Sequence, residues 1–370
     1  MLLAVFALPF ETFFELFLVV FFAPAFFARD DFTKWTSLLR KTTQSSIPHE
    51  GDRRGPEPRQ NASVCLLDSP LGQAGGGEPP PRRLQCGMSA WRRAVERALA
   101  TAVSPPLLSR LAGWLADRSL PAPLLVPVIR AYSRVYGVDL SEAAEPADAY
   151  PTFNAFFTRR LRDGARPVDR GENTVVAPCD SRLSGMGAVS EDGRLEQIKG
   201  QTYALEALLG SAEDAAVFQG GLCATLYLSP GMYHRVHSPV DGRVLGWRYR
   251  PGRLFPVNAP AVRSVPGLFA RNERVAIFLD GGGVGPIALV LVGAANVGRI
   301  TLGFTDLVTN TGALPGRGEP PEPLNVGRGD DIGAFNLGST VVLLAADPAL
   351  APVGPPPGAL VRMGEALWRR

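Results

Sequence analysis

The sequence predicts an α+β fold in which helices come first and a mostly antiparallel β core follows. Apolar residues recur at helical spacing from about residue 89 to residue 136. Beyond about residue 175 the chain consists of short strand-like runs bounded by glycine and proline. One frame, Pro-x-Asp-x-Arg-apolar-x-Gly, occurs twice in this second part, at residues 178–185 and 239–246. Two copies of a turn followed by a strand predict a duplicated turn-strand unit in the β core.

The first 87 residues differ in composition from the rest of the chain. Residues 1–28 are almost wholly apolar and long enough for a membrane helix, but no lysine or arginine precedes them. The basic start of a signal peptide is therefore missing as well. Residues 45–87 are rich in Pro, Gly, Ser and Arg and lack periodicity, which indicates a linker or disorder. Met88 then begins a segment typical of a protein start, so we interpret residues 1–87 as an extension, with a membrane anchor or a mis-assigned start codon as the alternatives.

Three apolar stretches predict the helices that follow. They cover residues 91–102, 107–115 and 124–136, and arginines lie beside the apolar residues of each. Trp91 and Trp114 belong to the apolar faces of the first two. Short helices of this kind suit a membrane interface. Ordinary packing on the core is the alternative that the pattern leaves open.

The second part of the chain reads as strands and turns. The strand-like runs are residues 222–228, 275–279, 287–292 and 340–344. Residues 281–285, which are nearly all glycine, predict a hairpin between two of these runs. Thr202 is predicted as the N-cap of a short helix over residues 204–209, with Gly210 closing it.

Composition excludes several classes of function. The net charge of +3 is too small to indicate a nucleic-acid partner, and no lysine/arginine run with interleaved aromatics is present. The four cysteines show no CxxC spacing, so neither a zinc site nor a disulfide framework is predicted, and a reducing interior is expected. Only three lysines occur, namely Lys34, Lys41 and Lys199.

The residues that could carry chemistry lie far apart in the sequence. Residues 337–340 read Leu-Gly-Ser-Thr and lead into an apolar run. Two of the three histidines, His234 and His237, lie together, and Asp180 lies in the first copy of the repeated frame. A serine preceded by glycine, a histidine and an acid are the parts of a nucleophile, base and orienting set. The pattern alone leaves plainer alternatives open: a turn aspartate, structural histidines, or an H-x-x-H metal pair that lacks a third ligand.

Together with several further segments, these residues make the chain resemble the bacterial, pyruvoyl-dependent (type I) phosphatidylserine decarboxylase proenzymes. The similarity runs from about Ser89 to Leu344, and the chain departs from the family pattern at Asp331, where relatives more often carry glutamate. Residues 1–87 have no expected counterpart. The further segments are residues 110–114, 150–157, 197–203 and 268–275.

The resemblance implies a zymogen that cleaves itself. The bond between Gly338 and Ser339 would break, giving a large chain that ends at Gly338 and a small chain of residues 339–370, with Ser339 becoming the covalent pyruvoyl cofactor. The resemblance assigns the base to His237, oriented by Asp180. We expect His234 to act as the acid/base on the lipid.

The resemblance also implies a substrate and a location. The reaction would decarboxylate phosphatidylserine to phosphatidylethanolamine through a Schiff base with pyruvoyl-339, on the cytoplasmic side of the cell membrane, with the enzyme held peripherally at an anionic lipid surface. A lipid substrate favours the membrane role for the N-terminal helices, and a homodimer is compatible with the family. Thr340 is either a hydrogen-bond donor during cleavage or a plain strand residue.

Other chemistries fit the residues less well. Pyridoxal phosphate would depend on Lys199, whose neighbours form no phosphate cup, so neither this cofactor nor a metal is expected. A serine hydrolase should have a G-x-S-x-G elbow, which is missing. A carrier domain would need a lysine at a hairpin tip, and neither copy of the frame has one. A pyruvoyl decarboxylase for a soluble amine precursor is the nearest mechanistic alternative.

Overall fold

The computed structural model describes residues 113–198, 200–294, 299–336 and 339–370. The predictions for residues 1–112 therefore lie outside the described residues. These are the apolar segment and linker, the start at Met88, the first helix and most of the second. Leu337 and Gly338 lie outside them too.

Six α-helices and two 3-10 turns lie wholly within the described residues. The helices are α1 (Ala122–Tyr136), α2 (Phe153–Phe157), α3 (Leu205–Leu209), α4 (Ala212–Val217), α5 (Ala259–Ser264) and α6 (Leu268–Arg271). The 3-10 turns are Leu140–Glu142 and Gly282–Val284.

Helix α1 confirms the third predicted helix and shows which way its apolar face points. Leu125, Ile129 and Tyr132 are buried, and the Tyr132 ring lies 5.0 Å from that of Phe153 in α2. The apolar face of α1 therefore packs inside the protein. Residues 113–116, at the end of the second predicted helix, are helical as well. No helix within the described ranges is both long and apolar enough to cross a bilayer.

The rest of the described chain is dominated by short strands, and every pairing between them is antiparallel. The strands are β1 (Thr174–Val176), β2 (Ser181–Ala188), β3 (Arg194–Ile198), β4 (Gln201–Ala204), β5 (Leu222–Leu228), β6 (Arg235–His237), β7 (Gly242–Arg250), β8 (Arg274–Asp280), β9 (Pro286–Val292), β10 (Arg299–Leu302), β11 (Gly316–Gly318), β12 (Leu324–Val326), β13 (Asp331–Asn336), β14 (Ser339–Ala345), β15 (Ala351–Pro352), β16 (Leu360–Val361) and β17 (Ala366–Arg369). The mixed, mostly antiparallel architecture predicted from the sequence is confirmed.

One large sheet forms the centre of the molecule. Its order is β11-β7-β8-β9-β14-β5-β2-β16, and β12 also pairs with β7. Strand β14 lies in the middle, between β9 and β5. Val341 and Leu343 belong to one hydrophobic cluster and Val342 and Leu344 to another, since successive strand side chains point to opposite faces. The sheet is therefore covered on both faces, which explains why β14 reads as an unbroken apolar run.

Three smaller sheets accompany the large one. Their orders are β10-β13-β6, β1-β17-β15 and β3-β4. The first places β6, which contains His237 and follows directly after His234, beside β13. Since β13 continues toward β14, the residues between these two strands connect the small sheet to the large one.

Local predictions have mixed outcomes. The turn at residues 281–285 does join β8 to β9 as a hairpin. Gly210 closes α3 with a left-handed φ of 77°. The prediction that Thr202 caps this helix is wrong, because Thr202 pairs with Glu196 in the β3-β4 hairpin and its hydroxyl accepts a hydrogen bond from Arg194.

The two copies of the repeated frame each lead into a long strand. The first leads into β2 and the second into β7, and both strands have an irregular register at the same place in the frame, before Gly185 and before Gly246. A common origin by duplication remains a prediction.

Candidate active site

The strands on either side of the Gly338–Ser339 junction in the chain, β13 and β14, belong to two different sheets. β13 ends at Asn336 and β14 begins at Ser339, which pairs with Leu228 of β5. On the other side of β13, the Phe335 amide donates to the carbonyl of His234 at 3.0 Å, and Asp331 pairs with His237. His234 therefore lies next to the end of β13 that leads into the junction, and His237 next to its start.

His237 is buried with both ring nitrogens engaged. Nδ1 lies 2.8 Å from the carbonyl oxygen of Gly329, and Nε2 lies 3.0 Å from the hydroxyl of Tyr233. Since a carbonyl only accepts, the proton of the neutral ring belongs on Nδ1. Burial lowers the pKa of His237, although the Gly329 contact and the charge of Asp331 oppose this. The ring is thus neutral at pH 7, with the lone pair of Nε2 directed at Tyr233.

Gly329 can present its carbonyl because of its backbone conformation. Its φ is 89°, a left-handed value that residues other than glycine rarely adopt. A Cβ at this position would also meet Val168 at 2.8 Å. The tight turn before β13 therefore supplies the group that fixes the tautomer of His237.

Asp180 is buried close to His237 but is bound to other groups. The Arg166 guanidinium donates to both of its oxygens, with Nε at 2.9 Å from Oδ1 and Nη2 at 2.6 Å from Oδ2, and the Met363 amide donates at 2.9 Å. The His237 amide donates to the carbonyl of Pro178 at 2.8 Å, which holds the Asp180 turn beside the histidine. The expected orienting contact is thus made by Gly329. Burial lowers the pKa of His237, and the charge of Asp180 is one of the smaller effects that oppose this.

His234 is fully buried in an aromatic environment. Its Nδ1 lies 2.8 Å from the carbonyl oxygen of Met232, and its ring centroid is 4.1 Å from that of Phe157. Burial lowers the pKa of His234 to about 3, against the opposing effect of the Met232 contact. Nε2 has no hydrogen-bond partner among the described residues. His234 is therefore a neutral base at rest and must first take up a proton before it can act as an acid.

A second buried polar atom without a described hydrogen-bond partner belongs to Thr340, the second residue of β14. Thr340 is buried, and its hydroxyl has no partner within the described part of the chain. Buried polar atoms normally form hydrogen bonds, so an unpaired one indicates a strained or functional site. Thr340 directly follows Ser339 in the chain, and the His234 carbonyl pairs with the Phe335 amide shortly before the junction.

Several residues at this site carried no functional prediction. Tyr233 binds His237, and Arg166 binds Asp180 while also donating to Glu142 at 2.8 Å. The amide of Asn154 donates to the side chain of Asn336 at 3.0 Å and so ties α2 to the junction. The only available signal was that residues 150–157 belong to the family resemblance, which did not indicate a role.

The two histidines of the H-x-x-H pair have different hydrogen-bond partners. The two Nδ1 atoms turn to different carbonyls, and no group of three or more His, Cys, Asp or Glu side chains that could hold an ion occurs in the described ranges.

Comparison with known proteins gives a consistent family. The profile of the family described as Phosphatidylserine decarboxylase matches residues 153–369. A phosphatidylserine decarboxylase proenzyme of Anaeromyxobacter sp. (strain K) is 47% identical over 268 residues, which is 70% of this chain and 93% of the relative. Proenzymes of the same name from Shewanella loihica and Myxococcus xanthus are 44% identical over 272 residues and 42% identical over 238 residues. They cover 70% and 64% of this chain, and 93% and 84% of their own lengths.

Proposed function

Because this chain belongs to the phosphatidylserine decarboxylase family, we propose that it decarboxylates phosphatidylserine to phosphatidylethanolamine in phospholipid biosynthesis. The enzyme is a carboxy-lyase made as a zymogen, and its cofactor is a pyruvoyl group formed from Ser339. One observation carries the proposal: residues 234–237 run beside β13, the strand that leads toward the Gly338–Ser339 bond, and the two buried histidines there each have Nδ1 on a backbone carbonyl.

Self-cleavage requires a base at the junction. The hydroxyl of Ser339 attacks the carbonyl of Gly338, and the backbone nitrogen leaves as an ester forms. Loss of the Ser339 α-proton then splits the ester, which leaves a carboxylate on Gly338 and dehydroalanine at position 339. Water converts dehydroalanine to pyruvoyl and releases ammonia. His237 supplies the base, since its proton is held on Nδ1 by Gly329 and its Nε2 lone pair is available once Tyr233 gives way or relays the proton.

Asp180 supports this base electrostatically. When His237 takes a proton, the ring becomes a cation in a buried place, and a nearby carboxylate lowers the free energy of that cation. Arg166 and the Met363 amide hold the carboxylate in position. In this role Asp180 needs no hydrogen bond to the ring.

Decarboxylation uses the second histidine. The pyruvoyl group supplies the electron sink for the carbon that loses its carboxylate. The ammonium of the substrate must lose a proton before its nitrogen can react, and the unpaired Nε2 of His234 is a suitable acceptor. The same nitrogen can return that proton to the substrate carbon after carbon dioxide leaves. The low pKa of His234 opposes the first transfer, because the neutral ring is a weak base, and favours the second, because the protonated ring is a strong acid.

The two products of cleavage are expected to stay together as one enzyme. Residues 339–370 contribute β14 to the centre of the large sheet, β16 to its edge and β17 to the sheet with β1. Val341 to Leu344 are fully buried, and each such side chain contributes about 1.5–3 kcal/mol. The small chain therefore remains as an integral strand of the core.

We further propose that residues 88–370 form the catalytic domain and that residues 1–87 are an extension. A lipid substrate requires the enzyme to work at a membrane surface, here peripherally on the cytoplasmic side, and arginines near the predicted N-terminal helices favour an anionic surface. Trp114 at the start of the described chain has the Arg118 guanidinium 3.9 Å from its ring centroid, a pairing of the kind found at lipid interfaces.

Release of carbon dioxide from carboxyl-labelled phosphatidylserine tests the proposed function. The purified protein should release label from vesicles of this lipid, and Ser339→Ala should release none. A serine hydrolase would instead release fatty acid or head group and leave the carboxylate in place. If the folded wild-type protein leaves the labelled carboxylate on the lipid, the proposal is contradicted.

A further inference from the structure

Arg159 is a buried arginine whose guanidinium has no oxygen partner among the described residues. It follows α2, is only 6% exposed, and its Nε has no hydrogen-bond partner among the described residues. Its guanidinium forms no ion pair within the described ranges. It lies over the ring of Phe156 with 5.2 Å to the centroid. A guanidinium has five N–H donors and keeps its charge in proteins, so this arrangement leaves strong donors unused.

The other arginines with buried side chains are paired. Arg166 binds Asp180 and Glu142, and Arg328 binds Asp241. Arg274 donates to three backbone carbonyls, among them that of Leu208 at 2.6 Å. Arg159 alone among these four lacks an oxygen partner in the described part of the chain. Burial of an unpaired charge costs stability, so a protein keeps one chiefly where the charge has a function.

The position of Arg159 indicates what that function is. Phe156 lies under its guanidinium, and the next residue, Phe157, lies against the ring of His234. The charge of Arg159 contributes to lowering the pKa of His234, after the larger effect of burial. Burial lowers the pKa of Arg159 in turn, and the charge of Asp180 is among the effects that oppose this. The unpaired guanidinium thus shares a buried region with the unpaired Nε2 of His234, beside the junction that makes the cofactor.

We propose that Arg159 is the anion-binding residue of the decarboxylation site and that it binds the phosphodiester of the phosphatidylserine head group. The inference rests on the proposed function and names a contact to the substrate. The head group brings two anions to this site, a carboxylate and a phosphodiester. Arginine binds either through two parallel hydrogen bonds.

The chemistry of the reaction favours the phosphodiester. The carboxylate leaves as neutral carbon dioxide, so a strong ion pair to it would stabilise the substrate more than the transition state and slow the reaction. The phosphodiester keeps its charge from substrate to product. An arginine bound to it holds the lipid equally well throughout and lowers KM without opposing loss of carbon dioxide.

Kinetics of full-length Arg159→Met test the proposal, with Arg160→Met as the matched control because Arg160 is exposed and adjacent. On mixed micelles of phosphatidylserine and neutral detergent, Arg159→Met should cleave itself normally and raise KM about 10- to 100-fold, with kcat within a few fold, as expected for loss of a charged hydrogen bond. Arg159→Lys should give an intermediate KM, and Arg160→Met should resemble wild type. An unchanged KM, or failure of Arg159→Met to cleave, would overturn the proposal.

Thermal stability separates a binding role from a structural one. Because Arg159 is an unpaired buried charge, Arg159→Met should melt at the same temperature as wild type or higher. A structural arginine would give a lower melting temperature, and that result would overturn the proposal.

Competition with head-group fragments identifies the bound anion without relying on the variant's stability. Glycerophosphoethanolamine carries the phosphodiester and no carboxylate, and free serine carries the carboxylate and no phosphate. Glycerophosphoethanolamine should inhibit wild type and Arg159→Lys more strongly than Arg159→Met, while serine should inhibit all three equally. Loss of serine inhibition alone would assign Arg159 to the carboxylate and overturn the proposal. Absence of decarboxylation by wild type would instead refute the proposed function itself.

Discussion

His234 and His237 lie three residues apart and face different surroundings. Each has Nδ1 on a backbone carbonyl, that of Met232 or that of Gly329, so each presents Nε2 as a base. The Nε2 of His237 is bound to Tyr233 and has charged groups nearby, whereas the Nε2 of His234 is buried against aromatic rings with no described partner. The comparison supports our proposal that His237 acts on the protein itself and that His234 acts on the substrate.

The largest expected effect is loss of self-cleavage in His237→Ala. Without a base, the hydroxyl of Ser339 is a poor nucleophile, so the intact proenzyme should accumulate. A denaturing gel of freshly purified protein measures this directly. Tyr233→Phe is the control, since it removes the hydroxyl on Nε2 and keeps the imidazole, and it should still cleave. Normal processing of His237→Ala would remove the distinction between the two histidines.

His234→Ala should show the opposite pattern. Cleavage should proceed, while carbon dioxide release should fall about 10²- to 10⁴-fold, the usual contribution of a positioned acid/base. Gel analysis and label release from one preparation give both values. Full turnover by the cleaved variant would refute the assignment of His234, as would a block in cleavage equal to that of His237→Ala.

The acid that supports His237 can be tested against its counterpart in the repeated frame. Asp180 and Asp241 both pair with an arginine, but Asp180 is buried while the side chain of Asp241 is 59% exposed. Asp180→Asn should slow cleavage and lower the free energy of unfolding by about 3 kcal/mol, since a buried pair is broken. Asp241→Asn should cleave normally and lose less than about 1 kcal/mol. If both substitutions change the free energy of unfolding and the rate of cleavage equally, the difference in burial between the two aspartates has no consequence.

The smallest effect concerns pH and stability. The pKa of His234 is about 3 in the folded protein and near 6.5 when unfolded, so the unfolded state binds more protons between these values. Stability should therefore fall as pH decreases from about 6.5 toward 3, and burial gives His237 the same sign. In an uncleaved Ser339→Ala background, His234→Phe should flatten the melting temperature between pH 7 and pH 4.5. An identical pH dependence with and without His234 would contradict its buried, neutral state.

The sequence predicted the core better than the surroundings of the site. The apolar runs of β5, β8, β9 and β14 were recognisable because both faces of the sheet are covered. The strands next to the histidines were not predicted: β6 has three residues, and β13 contains a glycine and begins with a charged residue. Short segments that mix polar, charged and glycine residues form strands only because pairing with neighbouring strands in the folded protein imposes that conformation.

The site shows the same division. The roles of Ser339, His237 and Asp180 come from the family resemblance and that of His234 from its place beside His237, and all four stay predictions. The group that fixes the tautomer of His237 is the backbone carbonyl of Gly329, which has no side chain to give a signal. Pairings between residues distant in the sequence depend on the folded chain and could not be predicted from spacing.

The central claim is that the Gly338–Ser339 bond breaks itself and leaves pyruvoyl at position 339, and the intact mass of the purified, active protein tests it most directly. The account predicts a small chain of residues 339–370 that is lighter than the serine-started peptide by the mass of ammonia, and that resists Edman sequencing. Ser339→Ala should give only the uncleaved chain. An active preparation that contains only uncleaved protein, or a small chain that begins with an unmodified serine, would contradict the account.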